Sequence, residues 1–271
     1  MHRQYVHLDS RTISYLDSAP GDAAAAVLVL IHAFPLGAGM WEGQSRDLPS
    51  GWRLIAPDLR GFGGSTIGQP DDTPSIDDYA ADVVDLLHEL HITSAVIGGC
   101  SMGGYAALAV VRRAPERVRA LILIDSRSGA DTSEGRANRR SMLALVDREG
   151  PSGVAREMMP KLLGRTTFNE RPDVEPFVRR LVKQQSAAAV RGGIHRMMTR
   201  PDASDVLETL KGPLLVIVGE EDTLTPPDEA RKMAALQPNA ELVMLPRTGH
   251  LPSLEDPEAF NDTLHAFLSA L

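Results

Sequence analysis

The sequence predicts an α/β fold in which a mostly parallel central sheet is flanked by helices, with a helical segment inserted into it. Short apolar runs typical of buried strands alternate with amphipathic stretches, and this alternation predicts parallel strands covered on both faces. The alternation stops after Asp125 and resumes near Pro213, and the residues from 127 to 200 show a helical pattern. A chain of 271 residues suits one large domain with such an insertion.

The predicted elements follow one another in the order that this sheet requires. Residues 4–8 and 12–16 alternate in polarity around a polar turn and predict an antiparallel pair. Residues 76–87 carry apolar side chains three and four positions apart, which predicts an amphipathic helix. Buried strands are predicted at 27–31, 53–56, 95–98, 120–124 and 213–219, and a further strand at 241–245.

Residues 99–103, Gly-Cys-Ser-Met-Gly, join a predicted strand to a helix-like stretch and place Ser101 in the turn between them. Glycines on both sides let the backbone bend sharply at the serine, and the helix that starts there points free N–H groups towards a developing oxyanion. This is the setting of a nucleophile elbow, so Ser101 is the candidate nucleophile.

A serine hydroxyl is a poor nucleophile at neutral pH, and it needs a base that a third group orients. Asp222 lies in the loop after the predicted strand 213–219, and His250 lies in the loop after the predicted strand 241–245. Because ligands of parallel sheets bind at the carboxyl ends of the strands, we expect Ser101, Asp222 and His250 to meet at that edge.

Two alternatives stay open. Asp125 also ends a predicted buried strand and could orient the base instead of Asp222. Cys100 is the only cysteine and could be a thiol nucleophile, although a small packed side chain on the opposite face of the strand explains it as well. Asp58 and Arg60 are interpreted as a pair that stabilises a turn.

Five motifs, in this order, resemble those of the α/β-hydrolase fold. They are His32-Ala-Phe-Pro, Asp58-Leu-Arg-Gly-Phe-Gly-Gly-Ser, Gly99-Cys-Ser-Met-Gly-Gly, Gly219-Glu-Glu-Asp and Gly249-His-Leu-Pro. The chain order of serine, aspartate and histidine is also the order found in that fold. The resemblance covers essentially the whole chain, and with the helical insertion it is similar to the serine carboxylesterase and lactonase branch, which includes enol-lactonases and N-acyl-homoserine lactonases.

The resemblance implies that the backbone N–H groups of Phe34 and Met102 form an oxyanion hole. The family usually has His-Gly after the third strand, where this chain has His32-Ala33. A backbone donor survives this replacement if the loop keeps its conformation, but Ala tolerates a positive φ poorly. His32 is expected to hold the loop by hydrogen bonds rather than to react.

The resemblance also divides the chain into a hydrolase core, residues 1–126 and 201–271, and a helical cap, residues 127–200. The cap holds 15 Lys and Arg against 8 Asp and Glu, or +7, so the other residues carry −15. This charge could attract a polar or anionic substrate, or it could reflect arginines on exposed helix faces. The cap also holds half of the ten methionines, which suit either an adaptable acyl-binding wall or ordinary packing. Candidate pocket residues are Met158, Met197 and Trp41, with Phe34 as a further one.

Composition disfavours several other classes. The net charge of −8 argues against nucleic-acid binding. The longest apolar run, residues 23–31, is too short for a membrane-spanning helix, and the first residues lack the apolar block of a signal peptide. A single cysteine excludes an intrachain disulfide and fits a cytoplasmic location. The histidines are scattered and no Gly-rich phosphate loop follows a strand, so we expect no metal and no cofactor.

These patterns predict a serine hydrolase of carboxylic esters or lactones, with N-acyl-homoserine lactones as one candidate class, that works through an acyl-enzyme. Its expected partner is a small-molecule substrate. Two other functions remain compatible with the same residues: a cofactor-free perhydrolase or amidase with the same triad, and a non-catalytic receptor that keeps the pocket only for binding. Spacing alone does not separate them, and it predicts no oligomeric state.

Overall fold

An eight-stranded sheet forms the centre of the computed structural model, which describes residues 2–68 and 73–271. The strands are β1 (His2–Leu8), β2 (Arg11–Asp17), β3 (Ala26–Ile31), β4 (Trp52–Pro57), β5 (Ala95–Cys100), β6 (Val118–Ile124), β7 (Leu214–Gly219) and β8 (Ala240–Leu245). Their order across the sheet is β1-β2-β4-β3-β5-β6-β7-β8. β2 pairs antiparallel with β1 and with β4, and all other neighbours are parallel. The predicted fold class and N-terminal hairpin are confirmed.

Helices cover the sheet and fill the insertion. They are α1 (Ile76–Glu89), α2 (Met102–Arg113), α3 (Ser133–Leu162), α4 (Arg165–Glu170), α5 (Val174–Lys183), α6 (Ala187–Thr199), α7 (Ser204–Thr209), α8 (Pro227–Ala235), α9 (Pro252–Glu255) and α10 (Pro257–Ser269). Ser75 starts α1 through a capping box with Asp78, which explains why the helix begins there. In the described chain, no helix has the length and apolar character to cross a membrane.

The middle of the sheet is the core of the protein. Every residue of β5 and β7 is buried, and β3 and β4 are buried beyond their first residues. Parallel strands covered on both faces need continuous apolar sequence, which is the pattern that these runs show. β3 lies between β4 and β5, so connections leave it in opposite directions at this switch point. β5, β6, β7 and β8 are neighbours in this order and run parallel, so the loops that follow them lie side by side at one edge of the sheet.

The inserted segment, residues 127–200, runs between β6 and β7 and contains α3 to α6. α3 bends at Gly150, where φ is +62° and Pro151 follows, and it packs against α5 and α6. Two of the hydrogen bonds that tie the segment to the loop after β7 come from one residue. Both join Thr166 to the carboxylate of Glu221, one from its N–H at 2.8 Å and one from its hydroxyl at 2.6 Å.

The expected pair of Asp58 and Arg60 does not form, which corrects that interpretation. Arg60 pairs with Asp82 of α1 at 2.8 Å. Asp58 instead pairs with Arg3 of β1 and accepts a hydrogen bond from the N–H of Ala38 at 2.8 Å. Asp58 and Arg60 do not pair with each other because α1 and β1 pack on this loop, and each brings an oppositely charged side chain from a distant part of the sequence.

Candidate active site

Ser101 occupies a sharp turn between β5 and α2. Its φ of +53° and ψ of −112° lie in a region that residues other than glycine rarely adopt. The turn requires glycine on both sides. A Cβ at Gly99 would lie 2.1 Å from the carbonyl oxygen of Gly103, and a Cβ at Gly103 would lie 2.2 Å from that of Ile31. This close packing keeps the strained serine in place at the edge of the sheet.

His250 and Asp222 form a buried pair at the same edge. Nδ1 of His250 lies 2.8 Å from Oδ2 of Asp222. Burial by itself would raise the pKa of Asp222, but the charge of His250 and the hydrogen bonds that the carboxylate accepts outweigh this and hold the pKa below its usual range. Asp222 is therefore ionised at neutral pH. Because Nδ1 of His250 faces the carboxylate, Nε2 is the ring nitrogen left to exchange a proton with another group.

Thr225 is a member of this group that sequence reasoning missed. Its hydroxyl donates to Oδ2 of Asp222 at 2.6 Å and lies 3.3 Å from Nδ1 of His250. The N–H groups of Leu224 and Thr225 donate to Oδ1 of Asp222 at 2.8 and 3.2 Å. The sequence signal for this turn is an Asp followed by Thr three positions later. The turn orients the carboxylate towards the imidazole.

A buried carboxylate, Glu255, holds the loop that carries His250. It accepts hydrogen bonds from the N–H groups of Gly249 and Leu251, each at 3.0 Å, so the residues on both sides of the histidine are fixed. It also accepts two hydrogen bonds from the inserted segment, from the N–H of Gly164 at 2.8 Å and the hydroxyl of Thr167 at 2.6 Å. No motif of the sequence marks Glu255, because its partners are spread over about 90 positions of the chain.

Replacing Glu255 by Gln is expected to lower the free energy of unfolding by about 2–4 kcal/mol, because the amide removes a buried charge and turns a donor towards other donors. Urea unfolding measures this change. Glu258→Gln, at an exposed position of α10, is the matched control and should stay within about 0.5 kcal/mol of the unmodified protein. Identical unfolding curves for the two variants would contradict the role assigned to Glu255.

Several buried N–H groups near Ser101 have no acceptor within the described residues, and two of them are the donors that the family resemblance implies. One belongs to Met102, the first residue of α2, and the other to Phe34, in the loop after β3. Phe34 lines the same cavity as Ser101. Buried backbone donors are nearly always paired, so two unpaired ones beside a serine are where a ligand oxygen would bind.

His32 holds the loop before Phe34, as predicted. Its Nδ1 lies 3.0 Å from the carbonyl oxygen of Ala33, and its Nε2 accepts a hydrogen bond from the N–H of Leu59 at 3.0 Å. Burial lowers the pKa of His32, so the ring is neutral and can donate from one nitrogen while accepting at the other. Ala33 is not among the described residues with positive φ, so the replacement of Gly causes no strain.

Cys100 is fully buried, and its sulfur lies 3.5 Å from the carbonyl oxygen of His250. Burial and the neighbouring carboxylates raise the pKa of this thiol well above its ordinary value. A thiol that stays protonated and shielded is a poor nucleophile. Its environment therefore favours the packing interpretation over the thiol nucleophile.

Asp125 lies beside the pair of His250 and Asp222, and the three side chains offer one atom each within 4.8 Å of one another. Oδ1 of Asp125 accepts a hydrogen bond from the N–H of Gly219 at 2.9 Å. Burial and the charge of Asp222 raise the pKa of Asp125 well above its ordinary value. Two carboxylates so close in a buried site do not both ionise, so Asp222 carries the negative charge and Asp125 is neutral.

A cavity of about 670 Å³ lies over Ser101 and His250, with walls from the loops at the edge of the sheet and from the inserted segment. Met158 and Met197 of the segment line it. The apolar part of the wall is completed by Phe34, Tyr105, Met142, Leu145 and Leu224. The cavity is therefore large enough for a small organic molecule next to the serine.

Trp41 was expected in this pocket but lies elsewhere. It is fully buried in the core, its ring centroid is 6.2 Å from that of Phe260, and it is not among the described residues that line the cavity. Trp41 ends the short 3₁₀ helix Ala38–Trp41, and its indole packs against Phe260 of α10. Its nearness to Phe34 in sequence was therefore a poor guide to its position.

The order of strands, the turn at Ser101 and the pair of His250 and Asp222 match a known family. The sequence profile described as "Alpha/beta hydrolase family" matches residues 28–263. The chain belongs to the alpha/beta hydrolase family. Membership explains why the five motifs occur in this order, and it confirms the resemblance on which the sequence interpretation relied.

Several members of this family are similar to the chain over most of its length. A thermophilic esterase from Thermogutta terrifontis, solved with malate bound, has 34% identity and a TM-score of 0.91, and the match covers 100% of this chain and 99% of the esterase. Est816, described as an N-acyl homoserine lactone degrading enzyme, has 25% identity and a TM-score of 0.78, covering 97% of this chain and 100% of Est816.

A curated relative extends beyond the matched region. The dihydrolipoyllysine-residue acetyltransferase component of the acetoin cleaving system of Pseudomonas putida is 31% identical over 258 residues, which is 92% of this chain and 65% of the relative. The chain thus spans about two thirds of the length of that protein.

Proposed function

We propose that this alpha/beta hydrolase cleaves carboxylic esters with Ser101 as nucleophile, His250 as base and Asp222 as the residue that orients the base. The observation that carries this proposal is that Ser101 and His250 line the same cavity. The carboxylate of Asp222 is hydrogen-bonded to Nδ1 of the imidazole, which leaves Nε2 for the serine. The similarity to a thermophilic esterase supports an ester as substrate.

In the proposed reaction, the Oγ of Ser101 bonds to the ester carbonyl carbon while Nε2 of His250 takes the hydroxyl proton. The carbonyl oxygen becomes an oxyanion and accepts hydrogen bonds from the N–H groups of Phe34 and Met102. The C–O bond then breaks, the alcohol leaves with the proton from His250, and an acyl-serine remains. Water, activated by His250, adds to the acyl group and releases the acid and the free serine.

The inserted segment, residues 127–200, is proposed to act as a cap that binds the acyl part of the substrate. Its Met158 and Met197 supply flexible apolar surface that adapts to several chain lengths. An apolar pocket distinguishes substrates that differ by one methylene by only about 1–3 kcal/mol, so we expect several acyl lengths to be accepted.

Labelling with a fluorophosphonate, followed by turnover of a short-chain aryl ester, tests the proposed function. A catalyst is labelled covalently at Ser101 and releases the aryl alcohol repeatedly. A receptor that only binds ligands would do neither, and an enzyme that transfers acyl groups to peroxide or cleaves amides would be labelled but would prefer those reactants in competition with the ester.

Lactones are a second proposed substrate class, supported by the similarity to Est816. Attack by Ser101 on a lactone leaves the alcohol attached to the acyl group, and hydrolysis then gives the open hydroxy acid. We expect proton release from a series of N-acyl-homoserine lactones as well as from matched linear esters, in both cases dependent on Ser101. Ester turnover without lactone opening would restrict the function to carboxylesterase.

A further inference from the structure

The charged side chains that line the cavity carry a net positive charge, with four cations against two acids. They are Arg127, Asp131, Arg139, Arg148, Glu157 and Lys161. Nε of Arg139 lies 3.1 Å from Oδ2 of Asp131, and Nζ of Lys161 lies 2.8 Å from Oε1 of Glu157. Both acidic side chains that line the cavity therefore form ion pairs with cations that also line it.

Arg127 and Arg148 are the cations that remain. Within residues 2–68 and 73–271, neither has a carboxylate at ion-pair distance, and the cavity therefore presents two uncompensated positive charges. Arg148 is exposed on α3, whereas Arg127 is half-buried. A positive cavity with partly apolar walls concentrates anions and strengthens their attraction, because water screens charges less there than at an open surface.

Arg127 is the first residue of the inserted segment, and its position is fixed by the loops after β6 and β7. It lies in the loop after β6, next to Ser126. The hydroxyl of Ser126 donates a hydrogen bond to the carbonyl oxygen of Ser101 at 3.0 Å. One terminal nitrogen of its guanidinium donates to the carbonyl oxygen of Leu224, in the loop that also carries Asp222. The side chain is thereby anchored between the two loops that position the proposed nucleophile and acid.

The guanidinium of Arg127 is also short of acceptors. The Leu224 carbonyl is its only hydrogen-bond partner in the described chain, and its Nε is buried with none. A terminal nitrogen of this side chain, which lines the cavity, is the donor that an anionic ligand can reach, and guanidinium binds carboxylate through strong charge-assisted hydrogen bonds.

We propose that the substrate of this site carries a carboxylate in addition to the ester or lactone group, and that Arg127 binds this carboxylate while Arg148 attracts it at the rim. This inference rests on the proposed ester hydrolysis. It names the substrate class as monoesters of dicarboxylic acids or lactones that bear a carboxylate, rather than neutral esters.

The kinetic test compares two probes of nearly the same shape, monomethyl adipate and its neutral analogue in which a primary amide replaces the free carboxylate. The ratio of their kcat/KM values, followed by proton release in a pH-stat, isolates the contribution of the charge. We expect the unmodified protein to favour the carboxylate at least 10-fold, and the preference to shrink as salt is added.

Arg127→Gln is expected to lower this ratio by about 10- to 100-fold, the contribution of one charge-assisted hydrogen bond, mainly by raising KM for monomethyl adipate. Arg127→Lys should restore part of it. Arg140→Gln is the matched control, since it removes the same charge at an exposed position of α3 that does not line the cavity, and it should keep the original ratio. Arg148→Gln, at an exposed position that tolerates substitution, should lower the ratio by a smaller factor that disappears at high salt.

Equilibrium titration separates this inference from the proposed reaction. Calorimetry of Ser101→Ala with each probe measures binding without turnover, and the tighter binding of the carboxylate over the amide should fall by about 10-fold or more when Arg127→Gln is added. A ratio near one in the unmodified protein, or a preference that Arg127→Gln leaves unchanged, would overturn the inference even if esters are hydrolysed. If neither ester is hydrolysed but the carboxylate binds through Arg127, the proposed reaction fails and the anion site stands.

Discussion

Replacing Ser101 with Ala is expected to abolish ester hydrolysis, with a loss on the order of 10⁴- to 10⁶-fold in kcat. The reason is that Ser101 supplies the hydroxyl at the strained turn between β5 and α2, whereas the neighbouring thiol of Cys100 is buried and its raised pKa keeps it protonated. The loss of stability should be small. Ala adopts the same backbone region at the same cost as Ser, and the side chain of Ser101 makes no hydrogen bond within the described residues. Initial rates with an aryl acetate and a thermal unfolding curve measure the two effects.

Cys100→Ala is the matched control for this experiment, because it removes the neighbouring side chain with nucleophilic character. We expect it to keep substantial activity and to lose at most about 1 kcal/mol of stability, since a small buried side chain is shortened. Retained turnover in Ser101→Ala, together with inactivity of Cys100→Ala, would reverse the assignment and make the thiol the nucleophile.

Asp222→Asn is expected to lower kcat by about 10⁴-fold while the protein remains folded. The amide presents a donor where the carboxylate accepts, so Nδ1 of His250 must become the acceptor. The proton then resides on Nε2, and the imidazole cannot take a proton from Ser101. Stopped-flow or steady-state rates measure the loss, and circular dichroism checks the fold.

Asp125→Asn serves as the comparison, and we expect less than a 10-fold loss of kcat from it. Because Asp125 is neutral in its buried site, an amide of the same shape changes little, and its oxygen still accepts the hydrogen bond from Gly219. A larger loss from Asp125→Asn than from Asp222→Asn would move the orienting acid to the end of β6.

Much of the fold was predictable because its signals are local. The apolar runs that became β3, β5 and β7, and residues 120–124 of β6, are unbroken by polar residues, since both faces of these strands are covered. The turn at Ser101 was equally legible, because the backbone conformation and close packing there exclude side chains at Gly99 and Gly103. Such constraints act within a few residues and leave their mark in the sequence itself.

The positions of Asp222 and His250 were predictable for a related reason. Each follows a strand of the parallel sheet, and parallel strands deliver their carboxyl ends to one edge. Which carboxylate bonds the imidazole was a different question. Asp125 and Asp222 both stand at that edge, and only the distances in three dimensions place Asp222 against Nδ1 of His250.

Other partners could not be predicted, because they come from distant parts of the chain. Arg60 bonds Asp82 rather than Asp58, and Trp41 packs on Phe260 rather than in the pocket. In both cases, nearness in sequence suggested a contact that the packing of helices on the sheet replaced with another.

By itself, then, the sequence determined the strands, the helices, the inserted segment and the candidates for chemistry, since these depend on local patterns of apolar residues and glycine. Only the tertiary structure decided that Glu255 braces the loop of His250 and that Arg127 stands uncompensated in the cavity. The physical reason is that hydrogen bonds and charge balance in a buried site depend on which atoms meet within a few ångströms, and residues far apart in the chain meet there without any spacing that records it.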